Sequence, residues 1–146
     1  MKSKLINQNP RTYAVVFQTG EEVAALLRQF AQEQGLEGSH FTGIGALSDV
    51  TLGYFNFVRK DYDQITLNEQ VEVLSLLGNI AIEKNAPKIH AHIVVGKADA
   101  TAHGGHLIEA RVRPTLEVVI EESPRHLRRK LNPEVGLALI DLDDAG

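Results

Sequence analysis

The 146-residue chain contains no cysteine. Disulfide bonds, thiolate metal sites and thiol catalysis are therefore excluded. Residues 1–9 are polar and lack the apolar segment of a secretory signal peptide, and no apolar run approaches the length of a membrane span. Together these absences predict a cytoplasmic protein that has no membrane partner.

Positive charge is also scarce, with 15 lysine and arginine residues against 19 aspartate and glutamate residues. The net charge of -4 and the isoelectric point near 5.8 disfavour a general nucleic-acid-binding surface, which needs a basic face. The one basic cluster in the sequence consists of Arg125, Arg128, Arg129 and Lys130. We interpret it as the solvated face of a hairpin balanced by Glu121 and Glu122, and we keep it as a candidate nucleic-acid patch.

Common catalytic and nucleotide-binding motifs are missing as well. The sequence has no Walker-type lysine loop and no G-x-S-x-G nucleophile elbow. Gly43 and Gly45 do not complete a dinucleotide-binding fingerprint, since the third position of that motif is Ser48. We predict a tight turn or a β-bulge at these two glycines.

One helix is predicted over residues 21–34. Thr19 and Glu22 have the T-x-x-E spacing of a capping box, in which each side chain satisfies a free amide of the first turn. The apolar side chains that follow at helical spacing are Val23, Leu26, Leu27 and Phe30. Gly35 suits the left-handed position at the helix C-terminus.

The remainder of the sequence alternates with period 2, which is typical of strands. Strands are predicted over residues 12–17, 39–42, 49–57, 64–67, 71–77, 80–82, 89–95, 106–112, 115–120, 128–131 and 136–142. Residues 97–105 are predicted to form a polar loop. One face of the strand over residues 71–77 is predicted to carry Val71, Val73, Ser75 and Leu77. The pattern predicts a single α+β domain over residues 1–146, with a large, mostly antiparallel β-sheet and one main α-helix packed on it.

Three histidines are the strongest chemical signal. His90 and His92 form an H-x-H pair, which on a strand points both imidazoles to the same face because side chains alternate. His106, on a neighbouring strand, can complete a three-nitrogen site that leaves one coordination position open for water or a small ligand. The alternative is three ordinary strand histidines that are hydrogen-bonded to their neighbours.

The surroundings of this histidine group are apolar in the sequence. The predicted face of His106 also carries Ile108, Ala110 and Val112. A dry pocket or a subunit interface is therefore predicted there. Glu72 and Glu109 are candidate carboxylates that could hydrogen-bond to a ligating histidine, serve as a fourth metal ligand or act as a general base. His103 is a second choice for the position of His106.

Several segments taken together resemble a known family. They are residues 43–47, 50–55 and 72–80, the H-A-H of residues 90–92, and the G-G-H-L-I-E of residues 104–109. In this order and spacing they resemble the PPC ("plants and prokaryotes conserved") domain in its bacterial stand-alone form, which is related to the C-terminal domain of plant AT-hook nuclear proteins. The resemblance covers the chain from about residue 13 to residue 142.

The resemblance implies a fold and a metal site. Family members are expected to have one α+β domain, in which a long helix packs on a major antiparallel sheet, and to form homotrimers. Carried over to this sequence, the metal ligands are His90, His92 and His106. Zinc is the first expectation for the divalent ion, with nickel and iron as alternatives. In plants the domain follows AT-hooks that bind DNA, and this sequence lacks an AT-hook at its N-terminus.

Three functions are consistent with these features. The preferred one is a homotrimeric metal-binding module with a binding or regulatory role, which holds a small anionic ligand at the open position of the ion. The second is a metal-dependent hydrolase-like enzyme that uses Glu72 or Glu109 as its general base. The third is a DNA-binding or transcription-associated protein that acts through the basic cluster.

Overall fold

The computed structural model describes residues 1–123 and 126–143. These residues form one helix, α1 (Val23–Gln34), and nine strands. The strands are β1 (Lys2–Gln8), β2 (Arg11–Gln18), β3 (Gly38–Asn56), β4 (Asp61–Leu67), β5 (Val71–Glu83), β6 (Ala86–Gly96), β7 (Ala102–Glu122), β8 (Arg128–Asn132) and β9 (Leu137–Asp141). The prediction of a single α+β domain with one main helix is confirmed.

All nine strands join one sheet. Along its main path the strand order is β1-β2-β7-β3-β5-β8-β9, while β4 pairs with β3, and β6 pairs with both β5 and β7. Neighbouring strands are antiparallel except for β5 and β8, which pair in parallel at Ile82 and Arg128. Because β6 pairs with both β5 and β7, the strands β3, β5, β6 and β7 form a closed circuit that curves the sheet around its core.

The core lies on the face of the sheet that α1 covers. The largest fully buried side chains are Phe17, Phe30, Phe41, Leu27, Leu36, Leu47, Leu76, Ile80, Ile93, Leu116, Ile120 and Val15. Helix and sheet meet where Tyr13 of β2 packs edge-on against Phe30 of α1, with ring centroids 5.3 Å apart. Burying one such side chain contributes roughly 1.5–3 kcal/mol, so this face holds the helix on the sheet. Within the described part of the chain, no helix combines the length and the apolar character that a membrane span requires.

The start of α1 differs from the predicted capping box. Glu22, rather than Thr19, is the N-cap residue, and its carboxylate accepts hydrogen bonds from the backbone N–H groups of the second and third helical residues at 3.0 and 2.6 Å. The Thr19 hydroxyl instead donates to the backbone carbonyl of Pro114 at 3.1 Å. The capping-box prediction is wrong because β7 passes beside Thr19 and takes its hydroxyl. The C-cap is Gly35 in the left-handed conformation (φ 61°), as predicted.

Three pairs of predicted strands are in fact single long strands, and one of these pairs, residues 71–77 and 80–82, forms β5. Residues 39–42 and 49–56 both belong to β3, and the predicted interruption is a shift in register between Gly43 and Gly45 against β5. Similarly, residues 106–112 and 115–120 both belong to β7, which also includes residues 102–105 of the predicted loop. A β-bulge adds a residue to one strand without ending the pairing, so the bulge predicted at these glycines is confirmed, whereas the strand ends are wrong.

A second bulge corrects the predicted face of β5. The register of β5 against β6 shifts between Val73 and Ser75. Val71 and Val73 are buried as predicted, but the core position after the bulge is held by Leu76. Leu77 therefore lies on the outer face of the sheet with 56% of its surface exposed. One extra residue in a strand moves every later side chain to the opposite face.

Candidate metal centre

The three histidines meet on the outer face of the sheet, opposite the core. His92 of β6 lies directly across from His106 of β7, and His90 precedes His92 by two residues on the same face. The ring centroids are 5.2 Å apart for His90 and His92, 5.3 Å for His90 and His106, and 5.5 Å for His92 and His106. One ring nitrogen of each histidine lies within 4.8 Å of the other two, and among the described residues no other group of histidine or acidic side chains is arranged in this way. We refer to these residues as the histidine cluster.

A bulge in β7 is the reason that His106 joins this cluster. Thr51 of β3 pairs with Glu109, and Leu52 pairs with Leu107, so that Ile108 has no partner across the strand. Leu107 lies on the core side, as do the later residues Ala110 and Val112. His106 is therefore on the outer face, and the prediction that it shares a face with Ala110 and Val112 is wrong. The extra residue at position 108 reverses the alternation between them.

Tyr62 of β4 is a member of the site that the sequence analysis missed. Its ring stacks on the His106 imidazole with centroids 4.5 Å apart and an angle of 18° between the planes. Gly53, which pairs with His106, makes this stacking possible, because a Cβ atom at position 53 would lie 2.8 Å from Cδ1 of Tyr62. Burial also raises the pKa of Tyr62, so its phenol is neutral over the physiological range. No local signal in the turn-like segment around Tyr62 indicates this contact.

The β8–β9 hairpin covers one side of the histidine cluster through Arg129. Nη2 of Arg129 donates to Oδ1 of Asn79 at 2.6 Å and lies 3.4 Å from Nδ1 of His90, while Nη1 donates to the Ala138 carbonyl at 2.9 Å. Between the hairpin and the cluster lies a cavity of 280 Å³, whose wall includes His90, His106 and Arg129. We refer to it as the hairpin cavity.

The environment keeps two of the histidines neutral. Burial lowers the pKa of His106 to about 4, and the nearby imidazoles of His90 and His92 add to the effect when they are protonated. Burial also lowers the pKa of His90, and the positive charge of Arg129 lowers it further. A neutral imidazole has the free electron pair that a metal ligand needs, so His90 and His106 are in their ligand form at neutral pH.

The donor set fits a divalent transition-metal ion. In a tetrahedral zinc site, imidazole nitrogens at about 2.0–2.1 Å from the ion lie about 3.4 Å from one another. The ring nitrogens of the cluster lie within 4.8 Å of one another, so small side-chain rotations bring them to that separation. In addition, Nδ1 of His106 is buried and has no hydrogen-bond partner in the described structure. Leaving a buried polar atom unpaired costs about 1–3 kcal/mol, which a bound ligand at the cluster can offset.

The two predicted carboxylates lie outside the histidine cluster. Glu72 is exposed near the start of β5, opposite Gly96, and the Glu109 carboxylate accepts a hydrogen bond from Arg111 at 2.8 Å. The carboxylate in the wall of the hairpin cavity is instead that of Glu83, which forms an ion pair with Lys88 at 3.6 Å. His103, the second choice for the third ligand, is exposed and is not part of the cluster.

The basic cluster does not form a free positive patch. Arg128 forms an ion pair with Glu37 at 3.7 Å, and Lys130 forms one with Asp141 at 3.8 Å. Arg129 turns inward to the hairpin cavity. Arg125 lies outside the described residues. The members that the structure describes are therefore balanced by acidic neighbours or half-buried, which disfavours a strong attraction to phosphate backbones.

Comparison with known proteins agrees with this architecture. Residues 6–124 match the model of the family described as the Plants and Prokaryotes Conserved (PCC) domain. No protein with a curated description matches the sequence at a significant level.

Three solved structures have the same fold. A protein of Bacteroides thetaiotaomicron described as a "putative dna binding protein" is 34% identical, with a TM-score of 0.91 and coverage of 97% of both chains. A plant- and prokaryote-conserved (PPC) protein of Pyrococcus horikoshii is 33% identical, with a TM-score of 0.84 and coverage of 90% of this chain and 91% of that chain. A metal-containing protein of Archaeoglobus fulgidus is 30% identical, with a TM-score of 0.83 and coverage of 90% and 93%.

Proposed function

The chain belongs to the Plants and Prokaryotes Conserved (PCC) domain family, and on that premise we propose that it is a homotrimer that binds one divalent metal ion per subunit through His90, His92 and His106. Residues 1–146 form one such domain. The protein acts as a binding or regulatory module, and a small anion occupies the open coordination position of the ion.

The observation that carries the metal proposal is the meeting of three ring nitrogens within 4.8 Å. The lowered pKa of His90 and His106 and the unpartnered Nδ1 of His106 support it, because each favours a bound cation over a proton. A similar protein of Archaeoglobus fulgidus is described as metal-containing. Zinc suits three imidazoles with one open position, and nickel and iron accept the same ligands. A bound ion would supply positive charge and an open coordination position at this end of the hairpin cavity.

The outer face of the sheet supports the proposed trimer. Large apolar side chains exposed on this face are Val16, Ile44, Leu74, Leu77, Val94 and Val119, with exposures from 39% to 62%. Most of them line a trough of 480 Å³ across β2, β3, β5 and β7, which we call the apolar trough. Exposed apolar patches of this kind mark protein–protein contacts. Leu77 pairs directly with His92, so a copy packed on the trough would end beside the metal site.

Metal content of the purified protein tests the metal proposal. Elemental mass spectrometry of untagged wild-type protein is expected to find close to one metal ion per chain, and the His92→Ala variant is expected to lose nearly all of it. The matched control is His103→Ala, because His103 is an exposed histidine of β7 that lies outside the cluster. Equal metal in wild type and His92→Ala, or none in wild type after incubation with zinc, nickel or iron, would contradict the proposal.

DNA binding is a second candidate function, favoured by the description of the similar Bacteroides protein. DNA binding requires an affinity for duplex that weakens steeply with salt and is lost when Arg125, Arg128 and Arg129 are neutralised. The acidic net charge and the ion pairs of Arg128 and Lys130 argue against it. Fluorescence anisotropy with a labelled AT-rich duplex at low salt decides the question, and we expect no binding.

The hydrolase-like alternative needs a general base beside the metal, and neither Glu72 nor Glu109 lies in the histidine cluster to act as that base.

A further inference from the structure

Arg129 is a half-buried cation that is attracted by the charge of Glu83 but forms no direct ion pair with it. Two of its nitrogens donate to the neutral acceptors Asn79 and Ala138, while its Nε is buried and has no partner. Among the residues that the structure describes, no carboxylate forms an ion pair with this guanidinium, whereas its neighbours Arg128 and Lys130 each have one. A buried charge that lacks a partner is costly, so its retention calls for an explanation.

The charges around the hairpin cavity favour an anion as that partner. Glu83 in the cavity wall attracts Arg129 and also forms an ion pair with Lys88 at 3.6 Å, so its single negative charge is shared between two cations. The histidines contribute no negative charge, and a divalent ion bound to them would add two positive charges close to Arg129, whose Nη2 lies 3.4 Å from His90. The cavity is then positive at the end where the cluster and Arg129 meet.

The shape and lining of the cavity narrow the chemistry of the anion. The rest of its wall is largely apolar and includes Ile89, Leu131, Leu137 and Leu139. Its 280 Å³ can hold a small organic acid. A free guanidinium N–H matches the planar oxygens of a carboxylate, and an apolar wall favours a short hydrocarbon chain over a fully hydrated anion such as phosphate.

We infer that the hairpin cavity binds a small monocarboxylate with a short apolar chain, whose carboxylate lies between the metal ion and Arg129 and whose chain contacts the leucines of the β8–β9 hairpin. This inference rests on the proposed metal site and names the class of its anionic ligand. It assigns Arg129 to ligand binding rather than to nucleic-acid contact.

Isothermal titration calorimetry of the zinc-loaded protein tests the inference with three probes. They are 3-methylbutanoate, its uncharged isostere 3-methylbutanamide, and inorganic phosphate. We expect 3-methylbutanoate to bind about tenfold or more tightly than either of the other two, since a hydrogen bond to a charged group contributes about 1.5–3 kcal/mol. Equal binding of the amide would overturn the role of charge, and equal binding of phosphate would overturn the role of the apolar wall.

Variants at position 129 test whether Arg129 is the residue that binds the carboxylate of the ligand. Arg129→Gln is expected to weaken 3-methylbutanoate binding about tenfold while zinc content stays at the wild-type level. Arg129→Lys keeps the charge, so its affinity for 3-methylbutanoate is expected to lie between those of the wild type and Arg129→Gln. Arg128→Gln is the matched control and should bind as wild type does. Unchanged affinity in both position-129 variants overturns the inference. If Arg129→Gln fails to fold, the affinity of Arg129→Lys for 3-methylbutanoate tests the inference, and wild-type affinity in that variant overturns it.

Titrations without metal separate this inference from the metal proposal. If wild-type protein takes up no zinc, the proposed metal site fails, and binding of 3-methylbutanoate that depends on Arg129 in the metal-free protein still supports the anion site. If zinc is bound stoichiometrically and no carboxylate binding is detected, the metal site stands and the inference about the cavity is overturned.

Discussion

Two concave regions share the outer face of one sheet but have different surroundings. The apolar trough lies open across β2, β3, β5 and β7, and nothing in the described chain covers it. The hairpin cavity lies farther along β5 and β6 and is covered by β8 and β9. The same strand supplies both, since Leu77 lines the trough and Asn79, two residues on, binds Arg129.

The difference shows how packing of the β8–β9 hairpin changes the burial and the electrostatics of the sheet surface beneath it. Under the hairpin, polar side chains lose water, the pKa of His106 falls to about 4, and buried polar atoms remain without partners. In the trough, large apolar side chains stay exposed and predominate over the polar lining residues Thr42, Ser75 and Glu117. The first region is suited to a small charged ligand, and the second to another protein surface.

The largest effect is expected from a charge in the apolar trough. Leu74→Asp should convert the proposed trimer to a monomer, because a carboxylate would be desolvated without a partner in the proposed interface. Size-exclusion chromatography with light scattering measures this, and Val58→Asp, at an exposed turn position outside the trough, should leave the trimer intact. A trimeric Leu74→Asp variant would contradict the proposed interface. Metal content of the monomer would then show whether one chain completes the metal site.

The next largest effect contrasts two adjacent leucines on opposite faces of β5. Leu76 is fully buried, whereas Leu77 is 56% exposed. In the monomeric Leu74→Asp background, Leu76→Ala should lower the free energy of unfolding by about 2–5 kcal/mol, and Leu77→Ala by well under half of that. Urea unfolding of both variants gives the comparison, and the monomeric background removes the contribution of assembly. Equal losses would contradict the bulge between Val73 and Ser75.

A smaller effect is expected where Tyr62 supports the histidine cluster. Tyr62→Ala should weaken zinc affinity about tenfold, since it removes the ring that holds the His106 imidazole in place. Tyr62→Phe keeps the stacked ring and should retain wild-type affinity. Competition with a chromophoric zinc chelator measures both. A loss of affinity in the Phe variant would show that the hydroxyl, rather than the stacking, is what matters.

The final effect is a pH dependence of the metal-free protein. The pKa of His106 is about 4 in the folded chain and near its ordinary value of 6.5 after unfolding. Below that ordinary value the unfolded chain binds more protons, so the free energy of unfolding should fall as the pH drops from about 6.5 towards 4. Urea midpoints measured across this range test the sign. His106→Gln should flatten the slope, and an unchanged slope would show that other groups cause it.

Much of the fold could be predicted from the sequence because it depends on short-range patterns. The helix end at Gly35, the bulge near Gly43 and Gly45, and the shared face of the pair His90 and His92 were all predicted correctly. The site was harder to predict because it depends on residues distant in sequence. Tyr62 reaches His106 through the pairing of β3 with β4 and β7, which no local pattern encodes.

Local alternation of the sequence alone determined that His90 and His92 point the same way, and composition alone excluded thiol chemistry. Only the tertiary structure decided that His106 faces them, because the unpaired Ile108 reverses the alternation of β7 and the register places His106 opposite His92. It also decided that Arg129 faces the cavity rather than solvent. Register, bulges and covering elements are set by packing between distant segments, so they leave no periodic signal along the chain.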